Sequence, residues 1–143
     1  MDAARVPFFI LFGTLLGAYR DKKFIEYDTD IDVGVTSDQI NLLMSIITGM
    51  KFAAEELMVI RQDEALLSLE FMGLIYLDIY VFWLCETGYS SGPYKLAREQ
   101  LNPLYTIEFL GTTFKCPSNP EHYFEQKYGL DWRNRTPSKH AGT

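Results

Sequence analysis

The sequence predicts an α/β (α+β) fold, a mixed sheet flanked by helices, and three observations predict it. Residues 28–35 alternate acidic with aliphatic side chains, the period of a half-buried strand. Ile40, Leu43, Met44 and Ile47 recur at helical spacing, and a second helical stretch follows Asn119-Pro120. Between these lie three apolar, β-branched and aromatic runs across 57–84, separated by turn residues. The 143 residues make most simply one minimal domain, 1–143, large enough to bury one core.

Taken in order, residues 1–7 form a lead-in and 8–12 a compact apolar run, either a buried strand or a helix end. Gly13-Thr14-Leu15-Leu16-Gly17 reads as a glycine-bounded turn, and Asp21-Lys22-Lys23 as a polar turn before Phe24. After the acidic strand, Thr36 and Gln39 have capping-box spacing, which predicts a helix over 37–49 with Gly49 as its stop. The runs 57–61, 66–71 and 74–84 predict a meander. Gly88, Gly92, Pro93 and Pro103 predict a loop over 86–103, holding one helical turn near 94–101. Runs 104–109 and 112–116 flank Leu110-Gly111 as a hairpin. Ser118 and Glu121 have capping-box spacing ahead of a helix that Gly129 ends. The polar tail from about residue 134 is expected to fray.

Composition narrows the function classes. Apolar residues at 48% and aromatics at 15% exclude a disordered chain. A formal charge of -6 argues against duplex DNA, or nucleic acid generally, and against an anionic membrane surface reached by bulk electrostatics. It leaves room for a phosphorylated substrate, because a bound metal reverses the local sign. Cys85 and Cys116 lack metal-ligand spacing and read as two free thiols of a reducing compartment. The apolar segment 6–16 is too short to span a bilayer and is broken by Gly13 and Gly17. The expectation is therefore a soluble, cytoplasmic protein without stable membrane insertion.

The chemistry concentrates in Asp28, Asp30 and Asp32. Strand alternation puts Asp30 and Asp32 on one face, about 7 Å apart. Like charges that close repel unless a cation sits between them, and hard oxygen ligands favour magnesium or manganese. The plainer reading is solvated charge at a strand end. Asp78 is the only charge in its apolar run, so it is either a hydrogen-bonded core acid or a functional one. At Gly13-Thr14, backbone N–H groups and a hydroxyl could approach a phosphate, or could simply turn the chain. Together these features suggest two acids holding metal ions on the phosphates of a donor. The third acid would share a metal or take a proton from an attacking hydroxyl.

The order of apolar segment, Gly-Thr, Asp-x-Asp strand and a later strand Asp resembles the nucleotidyltransferase fold of the DNA polymerase beta type. More narrowly, GTLLGAYRDKKFIEYDTDIDVGV resembles the signature of the LicD family, which includes bacterial phosphocholine transferases and fukutin-related ribitol-phosphate transferases. The closing PSNPEHYFEQKYGLDW, with Tyr128, Gly129 and Trp132, is similar to that family's last helix. The resemblance implies that Asp30, Asp32 and Asp78 are the catalytic acids and the metal ligands, for Mg2+ or Mn2+. It implies that Gly13 and Thr14 contact donor phosphate, and that Arg20 either joins them or pairs with Asp21 or Glu26. It further implies a CDP-activated small-molecule donor of phosphocholine or ribitol-phosphate type, and a hydroxyl acceptor, commonly of a glycan. Tyr27 is expected to pack, and His122 and His140 to lie on the surface.

Two rivals remain open at this point. A glycosyltransferase could use Asp-x-Asp to hold a nucleotide-sugar diphosphate and would need no third acid. A non-catalytic relative could bind a nucleotide or a partner. Three mutually repelling acids speak against the second.

Overall fold

Period-two alternation is what makes the sheet, and the computed structural model describes it through residues 7–24, 30–53, 57–71 and 75–133. Five strands run in the order β1-β2-β5-β4-β3. They are β1 Phe9–Ile10, β2 Asp30–Thr36, β3 Leu57–Gln62, β4 Leu66–Phe71 and β5 Ile75–Cys85. β6 (Gly88–Ser91) pairs with the far end of β5, and β7 (Tyr94–Leu96) pairs with β6. Among the described residues only β2 and β5 run parallel; the other pairs are antiparallel. β8 (Tyr105–Phe109) and β9 (Thr112–Cys116) form a separate hairpin, turned through Leu110 and Gly111 at φ 53° and 79°.

The meander and the second hairpin are as the sequence predicts. The region 86–103 is not a loop: its glycines close a β-hairpin instead, with Gly92 at φ +59° in the turn, and only Arg98–Leu101 forms the helical turn α3. The segment 13–17 is not a turn either. Phe12 takes φ 48°, reverses the chain straight after β1, and starts helix α1 (Phe12–Leu16), which runs on as a π-helical turn over Gly17–Asp21. Helix α2 (Ile40–Ala53), entered through a 3-10 turn at Ser37–Gln39, passes Gly49 without stopping. A Cβ at Gly49 would meet nothing, so glycine costs the helix propensity but does not break it.

Neither capping box forms. Thr36 donates to Asp38 instead, and Ser118 donates to the Glu99 carbonyl, which ties α3 to the entry of α4 (Pro120–Tyr128). Gly129, at φ +92°, ends α4 as expected. Cys85 and Cys116 are free thiols. Asp28, Tyr27, His140 and the tail from 134 lie outside the described residues.

Register divides the sheet into two unlike faces. Val33, Ile79 and Leu67 lie side by side on one, as do Val35 and Val81. Leu43 and Ile47 of α2 are buried, and α2 packs over Leu67 and Val81 on this side. Each such fully buried side chain contributes roughly 1.5–3 kcal/mol. The opposite face carries Asp30, Asp32 and Gly34 of β2, Tyr76, Asp78 and Tyr80 of β5, and Ser68 of β4. Phe9 crosses over Gly34 so closely that a Cβ there would lie 2.4 Å from its ring, so this position requires glycine. Helices α1 and α4 cover part of this face with a cluster of aromatic rings centred on Phe12 and Phe124. No helix among the described residues is long and apolar enough to cross a membrane.

Candidate active site

The first residues of β2 and the matching stretch of β5 bring the predicted acids together. Asp32 pairs directly with Asp78 across the parallel ladder, and Asp30 stands one pleat earlier on the same face. Neighbouring strands are about 4.8 Å apart, so the two aspartates face each other at roughly one strand spacing. Both are buried, Asp32 to 1% exposure and Asp78 to 9%, while Asp30 is half-buried. Such burial of acid beside acid is costly, which is why a carboxylate here must be held by its surroundings.

Those surroundings are specific. Ser68, opposite Asp78 on β4, donates its hydroxyl to Asp78 Oδ1 at 2.7 Å. The Asp32 backbone is gripped at both ends: its N–H donates to Thr14 Oγ1 at 2.9 Å, and its carbonyl accepts from Leu11 N–H at 3.1 Å. This explains the abrupt strand-to-helix reversal at Phe12. A bulky residue at positive φ costs about 1–2 kcal/mol, and Phe12 is held there by its N–H donating to Tyr123 Oη at 3.0 Å and by three aromatic neighbours. The reversal delivers Thr14 beneath Asp32.

Thr14 is 2% exposed and Gly13 is also buried, and the Thr14 hydroxyl is engaged by the Asp32 N–H of the acidic strand. Arg20 clasps Asp21 with Nε and Nη2, at 2.8 and 2.9 Å, and donates from Nη1 to the Trp132 carbonyl. His122 is on the surface, as expected.

Asp30, Ser68, Asp78 and Tyr80 line a cleft of about 480 Å³, bounded on its far side by Arg61 and the β6–β7 turn, Ser91 to Tyr94. Tyr80 stands opposite Gly34 in the β2–β5 ladder. Its hydroxyl is buried and has no hydrogen-bond partner among the described residues. Burial, then the charges of Asp32 and Asp78, push its phenol far above the ordinary range, so it stays protonated and keeps an O–H to donate. Tyr94 stacks edge-on against Tyr80, with ring centroids 5.7 Å apart, and is raised likewise by burial.

Oxygen donors on one sheet face form a hard-ligand set that fits magnesium or manganese. Among the described residues no three acids, histidines or cysteines already close into a ready cluster. Asp32 and Asp78 supply a facing pair, with Asp30 on the cleft wall. Sequence reasoning missed Ser68, Tyr80 and Tyr94. Ser68 was detectable as a small polar residue inside an apolar strand whose partner carries Asp78. Tyr94 gave no local signal, because it reaches the cleft through tertiary packing.

Residues 5–119 match the family described as LicD/FKTN/FKRP, nucleotidyltransferase domain. No curated protein sequence matches the chain. Among solved structures, the solution structure of the antibiotic-resistance factor ANT(2'')-Ia is similar at TM-score 0.59 and 18% identity, over 98% of this chain and 72% of that one. A crystal structure of ANT(2")-Ia in complex with adenylyl-2"-tobramycin gives TM-score 0.56 at 16% identity, over 92% and 74%. The lincomycin-bound lincosamide antibiotic adenylyltransferase LnuA gives 0.58 at 12% identity, over 93% and 89%. These likenesses place the fold among nucleotidyltransferases.

Proposed function

The chain belongs to the LicD/FKTN/FKRP nucleotidyltransferase-domain family, and from that premise we propose a metal-dependent transferase that moves a phospho-alcohol group from a CDP-activated donor to a hydroxyl, such as that of a glycan. The observation that supports it most is the direct pairing of Asp32 with Asp78, with Asp30 on the same face at the cleft.

Asp30, Asp32 and Asp78 would hold a magnesium or manganese ion, which supplies charge neutralisation on the transferring phosphoryl group. The acceptor oxygen attacks the phosphorus that bears the alcohol. The bond from that phosphorus to the bridging oxygen breaks, and CMP leaves with the electron pair. The hydroxyl proton passes to the Asp78 carboxylate, which Ser68 keeps in a fixed rotamer. Thr14 and Leu11 keep Asp32 in line with it. Gly13, Thr14 and Arg20 would face the donor phosphates, with Arg20 oriented by its bonds to Asp21 and the Trp132 carbonyl.

Turnover of Asp30→Asn and Asp32→Asn with magnesium tests the reading: full metal-dependent activity in both would end it. Asp78→Asn separates the glycosyltransferase alternative, which tolerates that change. Calorimetric titration with magnesium and CDP separates a non-catalytic binder of something else, which takes up neither. The adenylyl chemistry of the structural neighbours defines a second reading, transfer of the nucleotide itself. Release of pyrophosphate in place of CMP would mark it.

A further inference from the structure

On the far side of the Tyr94 ring lies a second, smaller cavity of about 190 Å³, walled by Phe12, Phe82, Tyr94, Tyr123 and Lys127. Tyr94 and Pro93 are shared with the acidic cleft, so the two spaces have a common wall. Lys127, in the last turn of α4, holds its ammonium between two rings, 4.3 Å from the centre of Tyr94 and 4.6 Å from that of Phe12. Cation–π contact of this kind stabilises the charge where it is but does not neutralise it.

The cations around the site differ in one respect. Arg20 is clasped by Asp21 and Arg61 by Asp63, whereas no carboxylate among the described residues forms an ion pair with Lys127. Asp32 acts on Lys127 through its field, and burial draws the ammonium's pKa down from the usual lysine range. A half-buried ammonium with no ion pair among the described residues, behind the Tyr94 ring and within the field of buried Asp32, is placed to receive an anion.

We propose that the cavity behind Tyr94 is a subsite for an anionic phosphate group of the donor, with Lys127 as its cationic contact. This rests on the transferase reading above. A diphosphate would then be held between positive charge on two sides, the ion on Asp32 and Asp78 at one end and Lys127 at the other. Lys127 is a binding and positioning residue here, and no proton leaves it.

Inorganic pyrophosphate with magnesium is the probe, since it carries the chemistry without the base or the alcohol. Calorimetry compares the wild type with Lys127→Met, which keeps the length and the aromatic packing, and with Lys127→Arg, which restores the charge. We expect Lys127→Met to weaken pyrophosphate binding about 10-fold or more and Lys127→Arg to recover most of it, as loss of one charge-assisted contact predicts. Independently, in the wild type, pyrophosphate with magnesium should slow reductive methylation of Lys127, read by peptide mass spectrometry; this does not depend on any variant folding. Equal affinity in Lys127→Met, or methylation unaffected by bound pyrophosphate, overturns the subsite and leaves the transferase reading standing. Failure of the wild type to bind pyrophosphate with magnesium at all overturns both.

Discussion

The two faces of the central sheet are written by alternate residues of the same strands, yet they obey opposite rules. On the face under α2, Val33, Val35, Leu67, Ile79 and Val81 are apolar and buried, and nothing there needs a partner of defined direction. On the other, Asp32 and Asp78 are equally buried, and each is held by directed hydrogen bonds: Ser68 on the Asp78 carboxylate, Thr14 and Leu11 on the Asp32 backbone. The first face gives stability at little cost in precision. The second, where we propose the chemistry occurs, comes at a cost in stability, because buried acids gain less from folding than the aliphatic residues they displace.

That contrast can be broken in four ways, from the largest effect to the smallest. Asp32→Asn should lower turnover at least about 100-fold, as removal of a charge-stabilising group in a closed site does, while its melting temperature stays near that of the wild type. An equal loss of melting temperature would mean that this face is structural as well. Ile79→Ala, one residue beyond Asp78 on β5 but on the opposite face, should do the reverse and cost about 2–5 kcal/mol in urea unfolding, with the kcat of the folded fraction unchanged.

The third test uses pH. Burial raises Tyr80, Tyr94 and Tyr123 above the ordinary tyrosine value of 10.0, so the folded chain keeps phenolic protons that the unfolded chain releases. Their stabilisation is complete below pH 10 and should fall away as pH rises beyond it. Lys127, lowered, works in the opposite sense only up to its ordinary 10.5. Urea midpoints on either side of pH 10 measure the balance, and a midpoint that rises there would contradict the burial. Last, Tyr80→Phe removes a buried hydroxyl that has no partner among the described residues. It should leave stability unchanged or raise it by up to about 1 kcal/mol in the same urea assay, whereas an ordinary buried tyrosine would lose by the change.

Much of this contrast is legible in the chain itself. The alternation Asp30-Ile31-Asp32-Val33 declares both faces at once, and the isolated charge of Asp78 in an aliphatic run points to its partner strand. What stays hidden depends on distance in sequence. The glycines of 13–17 read as a turn because local pattern cannot show that Tyr123, on the last helix, holds Phe12 at positive φ and so permits α1. The hairpin of β6 and β7 is too short for periodicity to separate it from loop, and its register is set by the far end of β5. The placement of Lys127 between two rings needs Tyr94 and Phe12 in position before it can be seen.

The pairing of β2 with β5 is the only parallel one among the described residues, and parallel strands cannot be joined by a tight turn. All of α2, β3 and β4 must be threaded between them before Asp32 and Asp78 meet. Non-local pairing of this kind comes late in folding, since the chain must close a long loop before any contact rewards it. In refolding experiments, magnesium-dependent binding of pyrophosphate should therefore return after helical circular dichroism has recovered. A nascent or half-folded chain has its aspartates but not their meeting point, and so stays catalytically silent until its topology is complete.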